Sequence, residues 1–206
     1  MKKLVLGVGI NDADYDVTIN RIVNGKRKTV WTCPFYSRWR DMIIRCYSES
    51  FHIRNPSYKD CSVCEEWKTF SNFKKWMKQQ NWQGKQLDKD ILVHGNREYG
   101  PETCIFVSKD LNCILIDAPG YQRSSNKYPK GVWWDKNRNK YQTQICIYGK
   151  KISLGRTETV EEASRLYKKA KSEYILEWVN NLTSKHTSDI ERTKEALIRH
   201  AGLLLG

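Results

Sequence analysis

Apolar residues recur at Tyr36, Trp39, Met42, Ile43, Cys46 and Tyr47, the spacing of one helix face, and they predict a helix of about three turns whose stripe lies in a core. After the Asn55-Pro56 turn signal the spacing returns at Trp67, Phe70, Phe73, Trp76 and Met77, interleaved with Lys74, Lys75 and Lys78. This predicts a second amphipathic helix with a basic flank. Between Leu87 and Val107 the pattern changes to two short strand-like runs, QLDKDILV and CIFV, separated by the turn-rich HGNREYGPE; Ser108 then caps a helix through KDLNCILI. Further on, Trp133-Trp134, Tyr141 to Tyr148 and Lys151 to Gly155 read as three strands joined by turns at Asn137-Arg138-Asn139 and Gly149. Thr159 with Glu162 forms a capping box, and Ala163, Leu166, Tyr167, Ala170 and Tyr174 make a stripe that covers one face of that sheet.

The remaining segments punctuate this pattern. Residues 1–35 hold one strand-like run, Leu4 to Ile10, then NDADYD and the basic Lys26, Arg27 and Lys28, and read as an irregular N-terminal arm. Residues 117–129, DAPGYQRSSNKYP, have the Gly, Pro, Ser and Asn content of a linker. NLTSKHTS is a second polar linker, and Ser188 with Glu191 fits a capping box opening a last helix that ends in Leu203, Leu204 and Leu205. The layout is therefore an arm (1–35), a first domain (36–116), a linker (117–129), a second domain (130–180), and a terminal linker and helix (181–206). That last helix either pairs two copies as a homodimer or docks on the sheet.

Composition narrows the partner. The 206 residues carry 36 Lys and Arg against 23 Asp and Glu, a formal charge of +13, which favours a polyanion. Residues 121–180 alone hold 13 Lys and Arg against 6 Asp and Glu, and most of those cations lie in the strands and turns. No apolar run approaches the roughly 20 residues of a spanning helix, and the opening MKKLVLGVG is too short in apolar residues for a signal peptide. Seven Cys, an odd number scattered through helical and strand-like stretches, fit a reducing compartment. The expected location is a cytosol. Cys61 and Cys64 have the C-x-x-C spacing of a zinc knuckle, and with Cys46 and Cys104 they either close a structural zinc site or are ordinary buried thiols.

Two segments resemble known families. Lys130 to Tyr174, with Gly131-Val132, Leu154-Gly155 and Glu161-Glu162-Ala163, resembles an AP2 DNA-binding domain. Glu65 to Leu115 resembles the HNH-nuclease region of phage-borne homing endonucleases. Together they imply an α+β protein, a ββα-metal (HNH-like) domain followed by an AP2-like three-stranded antiparallel sheet with one packing helix. By position, Lys130, Trp133, Gln144, Cys146 and Ser153 fall where AP2 domains place DNA-facing residues. From chemistry, Gln142 and Gln144 suit adenine edges, while Lys136, Arg138, Lys140, Lys150, Lys151 and Arg156 suit phosphates. The HNH resemblance implies that Asp88 and Asn112 hold Mg²⁺ or Mn²⁺. It sets Lys89 in the place of the catalytic His, with His94 as a substitute base, and Thr103 in the place of a motif Asn. The function implied is a sequence-directed, metal-dependent DNA endonuclease of nicking or homing type. The alternatives are a DNA-binding protein that represses or blocks a site without cutting, and a phage protein that binds an acidic host protein.

Overall fold

The computed structural model describes residues 3–115 and 127–206; most of the expected linker, 117–126, lies outside the described residues. The chain is α+β, with small sheets, and divides into two compact units, Met1–Phe106 and Val107–Gly206.

The first unit opens with two hairpins where an irregular arm was expected. Strands Lys3–Val5 (β1) and Gly9–Asn11 (β2) pair antiparallel around Leu6-Gly7, both at positive φ (50° and 72°). Strands Thr18–Val23 (β3) and Lys26–Thr32 (β4) pair antiparallel around Asn24-Gly25, at φ 53° and 70°. Two successive left-handed residues are what a tight type I′ hairpin turn requires, and Asn-Gly supplies them at low cost. The arm is also docked: Ile10 bridges Thr69, Asp12 Oδ1 accepts the Ser71 N–H at 2.9 Å, and Lys74 Nζ donates to Tyr15 Oη at 2.9 Å.

The core of this unit is the two apolar stripes read from the sequence. Helix Pro34–Tyr47 (α1) starts with Pro at its first position and buries Tyr36, Trp39, Met42, Ile43 and Cys46. A short helix, Glu49–Arg54 (α2), is capped by the Ser48 side chain. Trp67 sits in a single 3-10 turn, Glu66–Lys68, ahead of helix Phe70–Lys78 (α3), which buries Phe70, Phe73 and Met77. Trp39 Nε1 donates to the Trp67 carbonyl at 2.7 Å, satisfying a buried donor between the two stripes. Ser62–Val63 (β5) pairs in parallel with Glu98–Tyr99 (β7), and Gln86–Asp88 (β6) is the sheet partner of Ile105–Val107 (β8). The two strand-like runs are thus present but only three residues each, because a long loop occupies Lys89 to Arg97.

The second unit begins with helix Lys109–Leu115 (α4), where the Ser108 Oγ accepts the Leu111 N–H. Strands Val132–Asp135 (β9), Lys140–Ile147 (β10) and Lys150–Thr157 (β11) form an antiparallel sheet in the order β11-β10-β9. Helix Val160–Asn181 (α5) covers one face, its N-terminus capped by Thr159 Oγ1 on the Glu162 N–H, and it buries Ala163, Tyr167, Tyr174, Ile175 and Trp178. Gly131, at φ +74°, lets β9 begin under this helix, since a Cβ there would stand 2.2 Å from Tyr167 Cδ2 and 2.6 Å from the Gln144 carbonyl oxygen. The last helix, Ile190–Leu205 (α6), is capped by Asp189 rather than Ser188. It docks on α5, not on the sheet, burying Ala196, Leu197, Ala201 and Leu204, with Ser172 Oγ donating to the Ala201 carbonyl at 3.0 Å. Among the described residues no helix is long and apolar enough to cross a membrane.

Candidate nucleic-acid interface

The register of β10 sorts the side chains of the sheet. Thr143 and Ile145 are buried, and Thr143 Oγ1 donates to the Ala163 carbonyl of α5 at 3.3 Å. The alternate residues Lys140, Gln142, Gln144 and Cys146 therefore face away from the helix. Their cross-strand neighbours complete the open face: Asp135 opposite Lys140, Trp133 and Arg156 flanking Gln142, Ser153 opposite Gln144, and Lys151 opposite Cys146. A row Trp133, Gln142, Arg156 thus crosses all three strands.

Ion pairs hold that row in place. Arg156 Nε stands 3.0 Å from Asp135 Oδ2 and its Nη2 donates to Gln142 Oε1 at 3.3 Å. Arg138 Nη1 reaches the same Asp135 oxygen at 3.4 Å, and Lys140 Nζ pairs with Glu158 at 2.7 Å. Desolvation opposes ionisation of the Asp135 carboxyl, but hydrogen bonds from Arg156 and the Asn137 N–H prevail and hold it below the usual carboxylate range. Asp135 is the member of this candidate site that the sequence did not single out. Its role depends on the register that sets it opposite Lys140 and near Arg156, and only the short D-x-x-x-x-K hairpin spacing hinted at it.

Of the residues expected to meet DNA, the fold gathers Trp133, Lys140, Gln142, Gln144, Lys151, Ser153 and Arg156 on the open face. Lys136 and Arg138 stand exposed on the turn at its edge. Lys150 is in register with Ile147, on the other phase of the strand. Lys130 precedes β9, and burial and the neighbouring Lys171 lower its pKa.

The expected nuclease residues are differently placed. Asp88 ends β6, and its Oδ1 accepts the N–H groups of Asp90 and Ile91 at 2.8 Å each. Burial, then the charge of Asp90, pushes its carboxyl up to about 6. Lys89 is buried, its Nζ paired with Asp90 at 2.5 Å and donating to the Asn96 carbonyl at 3.0 Å. Burial works against its charge, yet the Asp90 carboxylate prevails and keeps its pKa raised. In return Asn96 Nδ2 donates to the carbonyls of Lys89 at 2.8 Å and Glu98 at 2.6 Å. Lys89 is therefore engaged as a tether that closes the 89–96 loop. Thr103 is likewise occupied, its hydroxyl donating to the Glu98 carbonyl at 2.8 Å. His94 is exposed on the loop. Asn112 lies half-buried on α4, in the other unit from Asp88.

The donor chemistry bears on both metals expected from the sequence. Among the described residues no three His, Cys, Asp or Glu side chains gather as a metal-holding group. Within the first unit Asp88 Oδ1 is engaged by two backbone N–H groups, and the neighbouring Asp90 carboxylate is paired with Lys89. Cys46, Cys61 and Cys104 are buried and Cys64 half-buried. Burial pushes the Cys46 thiol up to about 12 and raises those of Cys64 and Cys104 as well. Comparison of the chain with protein-family models, with curated proteins and with solved structures returns no match.

Proposed function

We propose that this protein binds double-stranded DNA through the open face of β9, β10 and β11 and acts by occupying its site. The observation that carries the reading is the Trp133, Gln142, Arg156 row, fixed by Asp135 on a face that no other element of the same unit is described as covering. A small antiparallel sheet suits the major groove, which admits a β-ribbon, and both side-chain types have base partners there: Gln with adenine, Arg with guanine. Lys136, Arg138, Lys140 and Lys151 at the edges suit phosphates. The sheet with one packing helix is the arrangement expected of an AP2-like domain, which adds support.

Cleavage has less support, because Lys89 is engaged in closing its loop and the carboxylates of Asp88 and Asp90 are already held by backbone N–H groups and by Lys89. The test combines two assays on the full chain. Selection from a random duplex pool, followed by anisotropy titration, is expected to yield a preferred site whose preference Arg156→Ala and Gln142→Ala relax. Supercoiled plasmid with Mg²⁺ or Mn²⁺ is expected to be retarded but intact. Metal-dependent nicking abolished by Asp88→Ala would replace this reading with a nuclease, and absence of any saturable, salt-dependent DNA binding would leave an acidic protein as the partner.

A further inference from the structure

Among the described residues, the β3–β4 hairpin is a basic element that neither core nor sheet explains. Between Thr18 and Thr32 it carries Arg21, Lys26, Arg27 and Lys28 and no acidic residue. Its strands pack on each other and make no extensive packing with another described element. Ile22 is 80% exposed near the tip. The base is anchored, with the Cys33 N–H donating to the Val17 carbonyl at 2.8 Å and Val17 packed on the core. The register then puts Arg21 directly opposite Lys28, Lys26 opposite Val23, and Arg27 opposite Ile22. Like charges directly opposed on an exposed ribbon destabilise it, and a two-stranded ribbon alone is marginal in water. Such a pair becomes favourable once an anion lies between or beside the two cations.

We infer that this hairpin is a second DNA-binding element, a cationic β-ribbon that enters a groove of the duplex and grips the flanking phosphates with Arg21, Lys26, Arg27 and Lys28. Its dimensions suit the task. Two strands about 5 Å apart and about 20 Å long fit a major groove about 12 Å wide. Both faces of the ribbon carry cations: Arg21, Lys26 and Lys28 on one and Arg27 on the other, the latter beside Asn20 and Thr29, which are hydrogen-bonded at 2.8 Å. A ribbon lying between two phosphate backbones uses both faces; one lying on a flat protein surface uses a single face. The polymer repeat of phosphates is the partner that meets four unopposed cations along one short element. This goes beyond the sheet reading and shares with it only the class of partner.

The experiment is a salt titration of the full chain on duplex DNA, comparing wild type with the quadruple variant Arg21→Gln, Lys26→Gln, Arg27→Gln, Lys28→Gln. Each phosphate contact contributes a slope of about 0.9 in log affinity against log salt, so the variant is expected to lose about 3 to 4 from that slope. The charge-keeping pair Arg21→Lys, Arg27→Lys is expected to retain it. An unchanged slope in the quadruple variant, with its thermal unfolding also unchanged, overturns the inference. If Arg156→Ala relaxes site preference while the hairpin variant behaves as wild type, the hairpin inference fails alone; if only the hairpin variant changes binding, the sheet reading fails alone. Photocross-linking from a benzophenone side chain at Ile22 is the second measurement, with Ile53 on α2, also 80% exposed, as the matched control. Cross-links to DNA from Ile22 in clear excess over Ile53 are expected, and none from Ile22, or equal yields, would overturn it.

Discussion

Gly131→Ala tests whether the sheet is held to α5 as described. At φ +74° an alanine occupies the left-handed region, which costs about 1 kcal/mol or somewhat more relative to glycine. The added methyl would stand 2.2 Å from Tyr167 Cδ2 and 2.6 Å from the Gln144 carbonyl oxygen, so a ring buried under α5 or the backbone of the central strand must shift. Overpacking of that kind costs about 1–3 kcal/mol. The Gln144 N–H also donates to the Gly131 carbonyl at 2.9 Å, and moving the glycine strains that bond as well. The sum is about 3 kcal/mol, a large part of the stability of a small unit. Denaturant unfolding followed by tryptophan fluorescence reads it, because Trp133, Trp134 and Trp178 report on this unit. A midpoint corresponding to about 3 kcal/mol less stability, with site-specific DNA binding reduced in step, is the expected result. A loss below about 1 kcal/mol would refute the packing argument, since neither the backbone term nor the clash would then be present.

Asp88→Asn keeps an acceptor for the Asp90 and Ile91 N–H groups and removes a desolvated charge. Because the folded carboxyl titrates near 6 and an unfolded one near 3.9, wild type loses stability as pH rises from about 4 to 6 and no further above. The Asn variant is therefore expected to gain about 1–2 kcal/mol over wild type at pH 7.5 and nothing at pH 3.5; chemical unfolding at both pH values checks this, and a pH-independent difference contradicts it. Lys89→Ala removes the tether between Asp90 and Asn96, with an expected loss of about 2 kcal/mol and faster proteolysis within 89–97, whereas Lys89→Met keeps the apolar stem and loses less. In thiol labelling at pH 8 without denaturant, exposed Cys113 and Cys146 are expected to react first, half-buried Cys64 more slowly, and Cys33, Cys46, Cys61 and Cys104 only on unfolding; chelator treatment that releases the buried thiols would instead reinstate a structural metal.

The helical parts of this fold were legible because periodicity is a local signal. The Trp39 and Phe73 stripes, the Thr159 cap and the three strands after Gly131 all stand where spacing put them. The N-terminal segment was harder to read. Leu4 to Ile10 looks like one strand until the Leu6-Gly7 turn folds it back, and strands of three residues carry no period. For β3 and β4 the signal was present in Asn24-Gly25 flanked by β-branched residues, but the three consecutive cations dominated the reading. β5 with β7 is a parallel pair of two-residue strands, set by packing alone. The candidate chemistry divided in the same way. Residue types on the open face were legible, while the engagement of Lys89 by Asn96, and of Arg156 by Asp135, depends on loop closure and register that spacing does not contain.

One irregularity of the sheet sets the phase of everything after it. Between Thr143 and Gln144 the register of β11 slips by a residue, so that Ser153 and Arg156, three apart, share the open face. A regular strand alternates strictly and would have turned Arg156 toward α5. β11 is thus two short strands in opposite phase, joined at Leu154 and Gly155. Straightening the bulge at unchanged length would act as a frame change in space, carrying the guanidinium toward the core side, bringing Thr157 out and leaving Asp135 and Gln142 facing an empty position, whereas deleting Leu154 would remove the extra residue and keep Ser153 and Arg156 on one face. The match between the bulge and the extra residue that fills it, more than the identity of any side chain, decides whether the row that crosses the sheet exists.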